Sequence, residues 1–262
     1  MKDLTSDPFS VPFYRQGAPD HGVLLLHGFT GSPANLYPLA KELAEQGLTV
    51  HVIRLAGHGA TLVQLKQSRW QDWLRDAFVS YDQLARQCAR VSVVGLSMGG
   101  ALALLLAEHR PVYRVVTIAA ALRAKNPAAP AASLLGMLPV NPFIRWRGVL
   151  PHEPGLEPFR ARYDGAYLKN IAGVNTLMRF ARQNLPRVTC PLLAVRAGRD
   201  STVRKQSAGL ILRRASSTEK ELLELSQSPH LCVLGPEYQR LQKEISRFLL
   251  KPSGASFSSP PL

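Results

Sequence analysis

Short apolar runs alternate along the chain with segments in which apolar residues recur every three or four positions. The runs predict buried strands, and their alternation with helical segments predicts a mainly parallel sheet with helices on both faces. Six runs fit such strands: residues 22–26, 48–54, 91–95, 112–120, 191–197 and 220–226. The expected fold class is therefore α/β.

Two helices are predicted between these strands. Residues 34–46 form the first, which ends where Gly47 offers a left-handed C-terminal cap. The second covers residues 70–84, because its large apolar side chains return at helical spacing and mark one buried face. We interpret Trp70 and Trp73 on that face as core residues rather than as a ligand platform.

The alternation breaks between residues 121 and 185, where seven prolines interrupt what read as short helical or irregular pieces. A connection this long within a compact domain is typically a lid or a small inserted subdomain. We therefore predict an α/β core of residues 1–120 and 186–251 with a cap of residues 121–185. Residues 252–262 are rich in Pro, Ser and Gly, and they predict a disordered tail.

Composition is that of a soluble globular protein, with 46% hydrophobic residues in a chain of 262. No apolar run approaches the roughly 20 residues needed to cross a bilayer. The first residues also lack the apolar stretch of a secretory signal. We expect a cytoplasmic protein without stable membrane insertion. The sequence does not indicate an oligomeric state.

Charge and cysteine content narrow the choice of ligands. The formal net charge of +14 favours anionic surfaces or substrates, but the basic residues are scattered without a basic-aromatic array. A solvated arginine-rich surface is the simpler interpretation, and we expect no nucleic-acid partner. Three cysteines without CxxC spacing argue against a disulfide framework and a zinc site. We interpret Cys232 as a small buried apolar residue.

The hexapeptide GLSMGG, residues 95–100, lies between an apolar strand run and an apolar helix run. G-x-S-x-G at such a junction is typical of the nucleophile elbow, in which a sharp turn projects the serine hydroxyl outward. The turn requires Gly95 and Gly99 to lack side chains and holds Ser97 in a strained backbone conformation. The alternative is a small residue in a tight turn.

A serine hydroxyl needs a histidine base and a carboxylate that orients the histidine. In this fold the acid and then the histidine follow the serine, each after a later strand. Asp200 follows the strand predicted at 191–197, and His230 follows the one predicted at 220–226. Asp200 could otherwise cap a helix. His230 is the one histidine that follows Asp200; the other six are His21, His27, His51, His58, His109 and His152.

Attack on a carbonyl also requires two backbone N–H groups that stabilise the oxyanion. We expect one from Met98, directly after the nucleophile at the start of the following helix. The other should come from the glycine-containing loop HGFTGSP, residues 27–33, where we select the amide of Phe29.

Five segments carry a family resemblance: HGFTGSP (27–33), IRLAGHG (53–59), GLSMGG (95–100), GRDSTV (198–203) and SPH (228–230). With them, the chain resembles the bacterial carboxylesterase and monoacylglycerol lipase group of α/β-hydrolases over residues 22–250, most weakly in the insertion. The resemblance implies a triad of Ser97, Asp200 and His230. It also implies an oxyanion hole of the Phe29 and Met98 amides, a small cap domain, and no metal or organic cofactor.

The chain departs from that group at Pro229, where a glycine is common before the histidine. A proline there can tilt the loop that carries His230. A second departure is the acid loop, which reads Asp-Ser-Thr-Val from Asp200. In the group, this loop usually ends in a second acidic or polar residue before the hydrophobic one. Arg54 and His58 match a loop near the lid hinge of the group, and we interpret them as structural.

The function expected is a serine hydrolase that cleaves carboxylic esters through an acyl-enzyme. Its small-molecule substrates would be short- to medium-chain acyl esters or monoacylglycerols. The same scaffold also supports thioesterases, amidases or aminopeptidases, and carbon–carbon bond hydrolases. A non-catalytic ligand-binding protein is a further alternative.

The insertion bears on substrate class. Its apolar residues could contact an acyl chain or attach the lid to the body. They are Leu134, Leu135, Met137, Leu138, Phe143, Ile144, Trp146, Val149 and Leu150. Residues 120–185 also hold nine Lys or Arg against three acids. We hypothesise that this charge draws in anionic substrates or carboxylate products.

Overall fold

The computed structural model describes residues 3–126, 129–137, 139–146 and 152–252. Residues 253–262 of the predicted tail lie outside this part of the chain. So do Leu138, Val149 and Leu150 of the insertion.

A seven-stranded sheet forms the centre of the molecule, and all six predicted strands belong to it. A short first strand pairs antiparallel at one edge, whereas every other neighbouring pair is parallel. The spatial order is β1-β3-β2-β4-β5-β8-β9, with β1 (Phe13–Arg15), β2 (Ala18–Leu26), β3 (Leu48–Val52), β4 (Arg90–Leu96), β5 (Val115–Ile118), β8 (Leu192–Ala197) and β9 (Lys220–Leu225). Strands β6 (Phe143–Arg145) and β7 (Gly165–Tyr167) form a separate antiparallel pair.

In the described part of the chain, eight α-helices accompany the strands: α1 (Tyr37–Glu45), α2 (Leu62–Gln67), α3 (Trp70–Ala85), α4 (Met98–His109), α5 (Ala129–Leu135), α6 (Leu168–Gln183), α7 (Gln206–Arg214) and α8 (Tyr238–Leu250). The helix predicted at 34–46 begins as a 3₁₀ turn over Pro33–Leu36. Pro38 has no N–H to donate to residue 34, so α-helical geometry begins only at Tyr37. Gly47 adopts the expected left-handed conformation, with φ of 84°.

Two apolar clusters lie on opposite faces of the sheet because successive side chains of a strand point to opposite sides. Val93 belongs to the cluster that includes α3 and α4, and Val94 belongs to the one that includes α1 and α8. Helix α4 is buried on every side from Met98 to Glu108, which explains its almost continuous apolar sequence. Trp73 is fully buried and Trp70 packs against the same cluster, in agreement with their interpretation as core residues.

The insertion contains α5, the β6-β7 pair and α6. The expectation of short or irregular pieces is wrong for α6, a 16-residue helix. No proline falls between Pro158 and Pro186, so the backbone there is free to form a continuous helix. Leu177 and Ala181 of α6 are fully buried in the same core cluster as α4. Because α6 packs on the core, these contacts do not mark where the cap ends and the core begins. The cap boundary at residues 121–185 therefore stays a prediction.

Among the described residues, no helix combines the length and the apolar composition that crossing a bilayer requires.

Candidate active site

Ser97 occupies the turn between β4 and α4 with φ of 54° and ψ of −112°. A positive φ is unfavourable for a residue with a side chain, so neighbouring groups must hold it in place. The N–H of Ser97 donates to the carbonyl of Ile118 at 2.8 Å, and its carbonyl accepts from the N–H of Ala121 at 3.0 Å. Strand β5 and the residues after it therefore fix the strained serine.

The two glycines of the turn have no room for a side chain. A Cβ at Gly95 would lie 2.1 Å from the carbonyl oxygen of Gly99. One at Gly99 would lie 2.0 Å from the carbonyl oxygen of Leu26, at the end of β2. Real Cβ atoms do not approach other atoms this closely, so the turn tolerates only glycine at both positions.

The structure brings Ser97, Asp200 and His230 together. They lie on the loops after β4, β8 and β9, at the carboxyl ends of three parallel strands. His230 Nε2 lies 2.9 Å from Ser97 Oγ, and its Nδ1 lies 2.7 Å from Asp200 Oδ2. Asp200 and His230 are 6% and 9% exposed. This geometry lets His230 accept the serine proton while its other nitrogen donates to a carboxylate.

Asp200 uses its two carboxylate oxygens differently. Oδ1 accepts the N–H groups of Thr202 at 2.7 Å and Val203 at 2.9 Å, while Oδ2 faces His230. The sequence left open whether Asp200 caps a helix or contacts the histidine. In the structure it contacts the histidine and caps the turn of Thr202 and Val203, whereas the next helix, α7, begins only at Gln206. The two N–H groups of the turn hold the carboxylate in one orientation. In that orientation its second oxygen orients the imidazole of His230.

The loop that carries His230 accommodates Pro229. A Cβ at Gly235 would lie 3.1 Å from Pro229 Cδ, so the missing side chain at 235 leaves space for the proline ring. Glu237 Oε2 accepts the N–H of Gln227 at 2.9 Å and the hydroxyl of Ser228 at 2.8 Å. The proline therefore does not displace the histidine. Sequence reasoning missed Glu237, which no motif marks.

The loop after β2 lies beside the nucleophile. A Cβ at Gly28 would come within 3.4 Å of Ser97 Cβ. Phe29 follows in this loop, and Met98 begins α4. Within the described residues, neither of these two amides donates a hydrogen bond to another group. Both are free to meet an oxyanion formed at Ser97, although their role stays a prediction.

Tyr163 of the insertion ties this loop to the core, and sequence reasoning missed it. Its N–H donates to the carbonyl of Thr30 at 2.8 Å. Its hydroxyl donates to the carbonyl of Gly57 at 3.1 Å and accepts the N–H of Ala60 at 2.9 Å. Tyr163 is fully buried, so these bonds are shielded from water. The buried Tyr163 thus connects the insertion to the loop after β2 and to residues 57–60.

Two buried histidines, His27 and His58, contact residues of the loop after β2. Burial lowers the pKa of His27 to about 4 and that of His58 to about 3, so both are neutral near pH 7. His27 Nδ1 donates to the carbonyl of Gly28 at 2.9 Å, and its Nε2 accepts the N–H of Leu55 at 3.2 Å. The His58 ring packs on Phe29. These contacts support the structural interpretation of His58.

The apolar residues of the insertion divide into two groups. Leu134 and Met137 are 70% and 80% exposed, whereas Phe143 and Trp146 pack against the main core cluster. The second pair attaches the insertion to the body. Acyl contact by the exposed residues stays a prediction.

Cys88, Cys190 and Cys232 are free thiols, and Cys232 is fully buried as expected. Burial raises the pKa of the Cys232 thiol to about 12, so it stays protonated near the histidine loop.

A mainly parallel sheet that presents serine, aspartate and histidine in this chain order defines the class as α/β-hydrolase. Within it, the chain belongs to the family described as serine aminopeptidase, S33, whose model matches residues 17–237.

Curated relatives are similar over almost their whole length. The chain is 33% identical to a thermostable monoacylglycerol lipase of Bacillus sp. (strain H-257), covering 93% of this chain and 95% of the relative. It is 26% identical to a carboxylesterase of Bacillus subtilis (strain 168), covering 96% and 99%. A solved structure from a study of the metagenome-derived lipolytic enzymes LipS and LipT has a TM-score of 0.84 and 32% identity. That similarity covers 92% of this chain and 98% of the solved one.

Proposed function

We propose that this protein is a serine hydrolase that cleaves carboxylic esters, namely monoacylglycerols or other short- to medium-chain acyl esters. The observation that carries the proposal is the position of the His230 imidazole, 2.9 Å from Ser97 Oγ and 2.7 Å from Asp200 Oδ2. The names of the curated relatives, a monoacylglycerol lipase and a carboxylesterase, support the ester as the bond cleaved.

In the first half of the reaction, Ser97 Oγ attacks the ester carbonyl while His230 Nε2 takes the hydroxyl proton. Asp200 holds the imidazole in the tautomer with its proton on Nδ1 and stabilises the imidazolium. The N–H groups of Phe29 and Met98 receive the oxyanion of the tetrahedral intermediate. The intermediate collapses as the carbon–oxygen bond to the alcohol breaks, and His230 returns its proton to the departing oxygen.

The second half releases the acyl group. Water takes the place of the alcohol, His230 removes a proton from it, and the resulting hydroxide attacks the acyl-enzyme carbonyl. When this second intermediate collapses, Ser97 regains its proton from His230 and the carboxylic acid leaves. No oxidant, reductant or metal enters the sequence of steps.

The family description also raises peptide hydrolysis as a second candidate. An aminopeptidase has to bind the cationic amino terminus of its substrate, for which a carboxylate is the natural partner. Residues 120–185 hold nine Lys or Arg against three acids, which disfavours a cation beside the site. The charge of the insertion therefore argues against an aminopeptidase.

A panel of p-nitrophenyl esters from acetate to palmitate, with a thioester and an amino-acid anilide, tests the proposal. We expect kcat/KM to be highest for an ester of short or medium acyl length. Ser97→Ala should lose about six orders of magnitude in kcat and all labelling by a fluorophosphonate. Full activity in that variant, or faster turnover of the anilide than of every ester, would refute the assignment.

A further inference from the structure

A cavity of about 550 Å³ lies between α6 of the insertion and residues 123–126. Among the described residues, four arginines line it: Arg123, Arg179, Arg182 and Arg204. The described part of its lining includes no aspartate or glutamate and none of Ser97, Asp200 and His230. The cavity is therefore a concentration of positive charge distinct from the three residues of the candidate active site.

The four guanidinium groups have no carboxylate partner among the described residues. Arg182 donates to the carbonyl of Leu122, and Arg204 Nε donates to the carbonyl of Ala124 at 3.1 Å. These backbone contacts orient two of the arginines. Burial, together with the nearby charges of Arg123 and Arg179, lowers the pKa of Arg182. The like charges are thus close enough to repel one another.

Neutral polar groups also line the cavity. Ser133 of α5 and Thr176 of α6 border the cavity along with the arginines. Asn175 Nδ2 donates to Ser133 Oγ at 3.2 Å, which leaves the serine O–H to donate elsewhere. Hydroxyl groups next to several guanidinium groups match the oxygen-rich surface of a phosphate or a carboxylate.

We propose that this pocket is a binding site for an anionic group, a phosphate or a carboxylate. A bound anion offsets the repulsion between Arg182 and its neighbours Arg123 and Arg179, and it accepts hydrogen bonds from the guanidinium groups that line the pocket. Guanidinium groups bind both anions in bidentate fashion, so the two share one recognition chemistry.

The pocket is built from the segments that hold the nucleophile and the acid. Met178 in its wall packs with Ala121 and Val203 in one small apolar cluster. The N–H of Ala121 donates to the Ser97 carbonyl at 3.0 Å. Ala124, also in the wall, pairs with Val203, which lies three residues after Asp200. The anion has two possible sources: a charged group on the substrate itself, or a free anion such as inorganic phosphate.

Calorimetric titration with inorganic phosphate at low ionic strength tests the site directly. The pocket variant is Arg123→Gln with Arg179→Gln, because both side chains are exposed and neither holds a carbonyl of the fold. The matched control is Arg213→Gln with Arg214→Gln, two exposed arginines on α7 with the same change of charge.

We expect phosphate to bind the wild type and the control alike and the pocket variant about tenfold more weakly. Equal phosphate affinity in all three proteins overturns the proposal, and so does an absence of binding to the wild type. A thermal unfolding midpoint measured for each protein shows whether a loss of binding reflects the site or a loss of folding.

A kinetic comparison identifies the source of the anion and rests on the proposed ester hydrolysis. The substrates are the p-nitrophenyl monoester of succinic acid and p-nitrophenyl butyrate, which match in acyl length and differ in charge. If the anion belongs to the substrate, the anionic-to-neutral ratio of kcat/KM falls about tenfold in the pocket variant but not in the control. If phosphate binding weakens while that ratio holds, the ligand is a free anion. If the protein has no esterase activity, the phosphate titration still tests the pocket. Failure of the proposed ester hydrolysis is therefore distinguishable from failure of the proposed anion site.

Discussion

The Nδ1 of His230 lies 2.7 Å from one oxygen of Asp200, whose other oxygen is held by the N–H groups of Thr202 and Val203. The carboxylate therefore cannot rotate away from His230 without losing its hydrogen bonds to Thr202 and Val203. This relationship sets the tautomer of the imidazole and directs Nε2 toward Ser97.

Asp200→Asn should lower kcat by about four orders of magnitude with a small change in KM, because an amide does not stabilise the required tautomer or the imidazolium. Steady-state hydrolysis of a p-nitrophenyl ester measures both constants. Asp82→Asn, which removes a surface partner of Arg110, is the matched control and should keep the wild-type kcat. Wild-type kcat in the Asp200 variant would show that the carboxylate does not orient the base.

Glu237→Ala should reduce kcat about tenfold at nearly constant KM, because the loop before His230 loses the acceptor for Gln227 N–H and Ser228 O–H. Glu237→Gln keeps one oxygen acceptor and should recover most of the rate. Such a recovery is not expected if the alanine variant merely destabilises the fold. Glu244→Ala, at a surface ion pair of the same helix, serves as the control. If the alanine variant changes KM and leaves kcat intact, Glu237 does not position the histidine.

Gly95→Ala should unfold the protein or leave it insoluble, since its Cβ would lie 2.1 Å from the Gly99 carbonyl oxygen. The opposite result is expected for Gly209→Ala in α7, where the new Cβ meets only the flexible end of Arg213. That change should stabilise the protein by about 0.5 kcal/mol, because alanine favours the helix. Urea unfolding of both variants measures the contrast. A soluble Gly95 variant with native stability would argue against the packing of the turn.

Glu108 in α4 is 9% exposed, and neither of its carboxylate oxygens has a hydrogen-bond partner in the described part of the chain. Burial raises its pKa from 4.5 to about 8. In the unfolded chain the carboxyl loses its proton near pH 4.5, while the folded protein retains it up to about pH 8. Its contribution to stability is therefore lost as the pH rises through this window.

Glu108→Gln removes this dependence because the amide stays neutral. We expect the variant to match the wild type near pH 4.5 and to exceed it by several kcal/mol at pH 9, at about 1.4 kcal/mol for each unit by which folding raises the pKa. Urea unfolding across pH 4.5 to 9 measures the difference in free energy. A difference that stays constant with pH would show that Glu108 ionises normally in the folded state.

The sequence predicted the sheet because its central strands β4, β5 and β8 are buried on both faces and read as nearly continuous apolar runs. It predicted the chain order of Ser97, Asp200 and His230 because each must follow a strand of a parallel sheet. The structure brings these three residues within hydrogen-bond distance. Their chemical roles stay predictions that the variants above test.

The supporting contacts could not be predicted because they join residues that are distant in the chain. Tyr163 and Ala60 are 103 positions apart, and nothing in the local pattern around either one marks the other. Glu237 lies at the start of α8, where an acidic residue favours the helix N-terminus whether or not it holds a loop. Helix α6 was missed because the prolines before it suggested only short helical or irregular pieces in the insertion.

The absence of room for one methyl group at Gly95 or Gly99 restricts how this protein can diversify. A lineage that acquires new substrates has to leave the turn untouched, because any larger residue there removes the fold before it changes the chemistry. Functional divergence is therefore directed to the solvent-facing side chains of the insertion, where Leu134 and Met137 bear few packing constraints. Libraries for directed evolution of this enzyme gain most from randomising those positions.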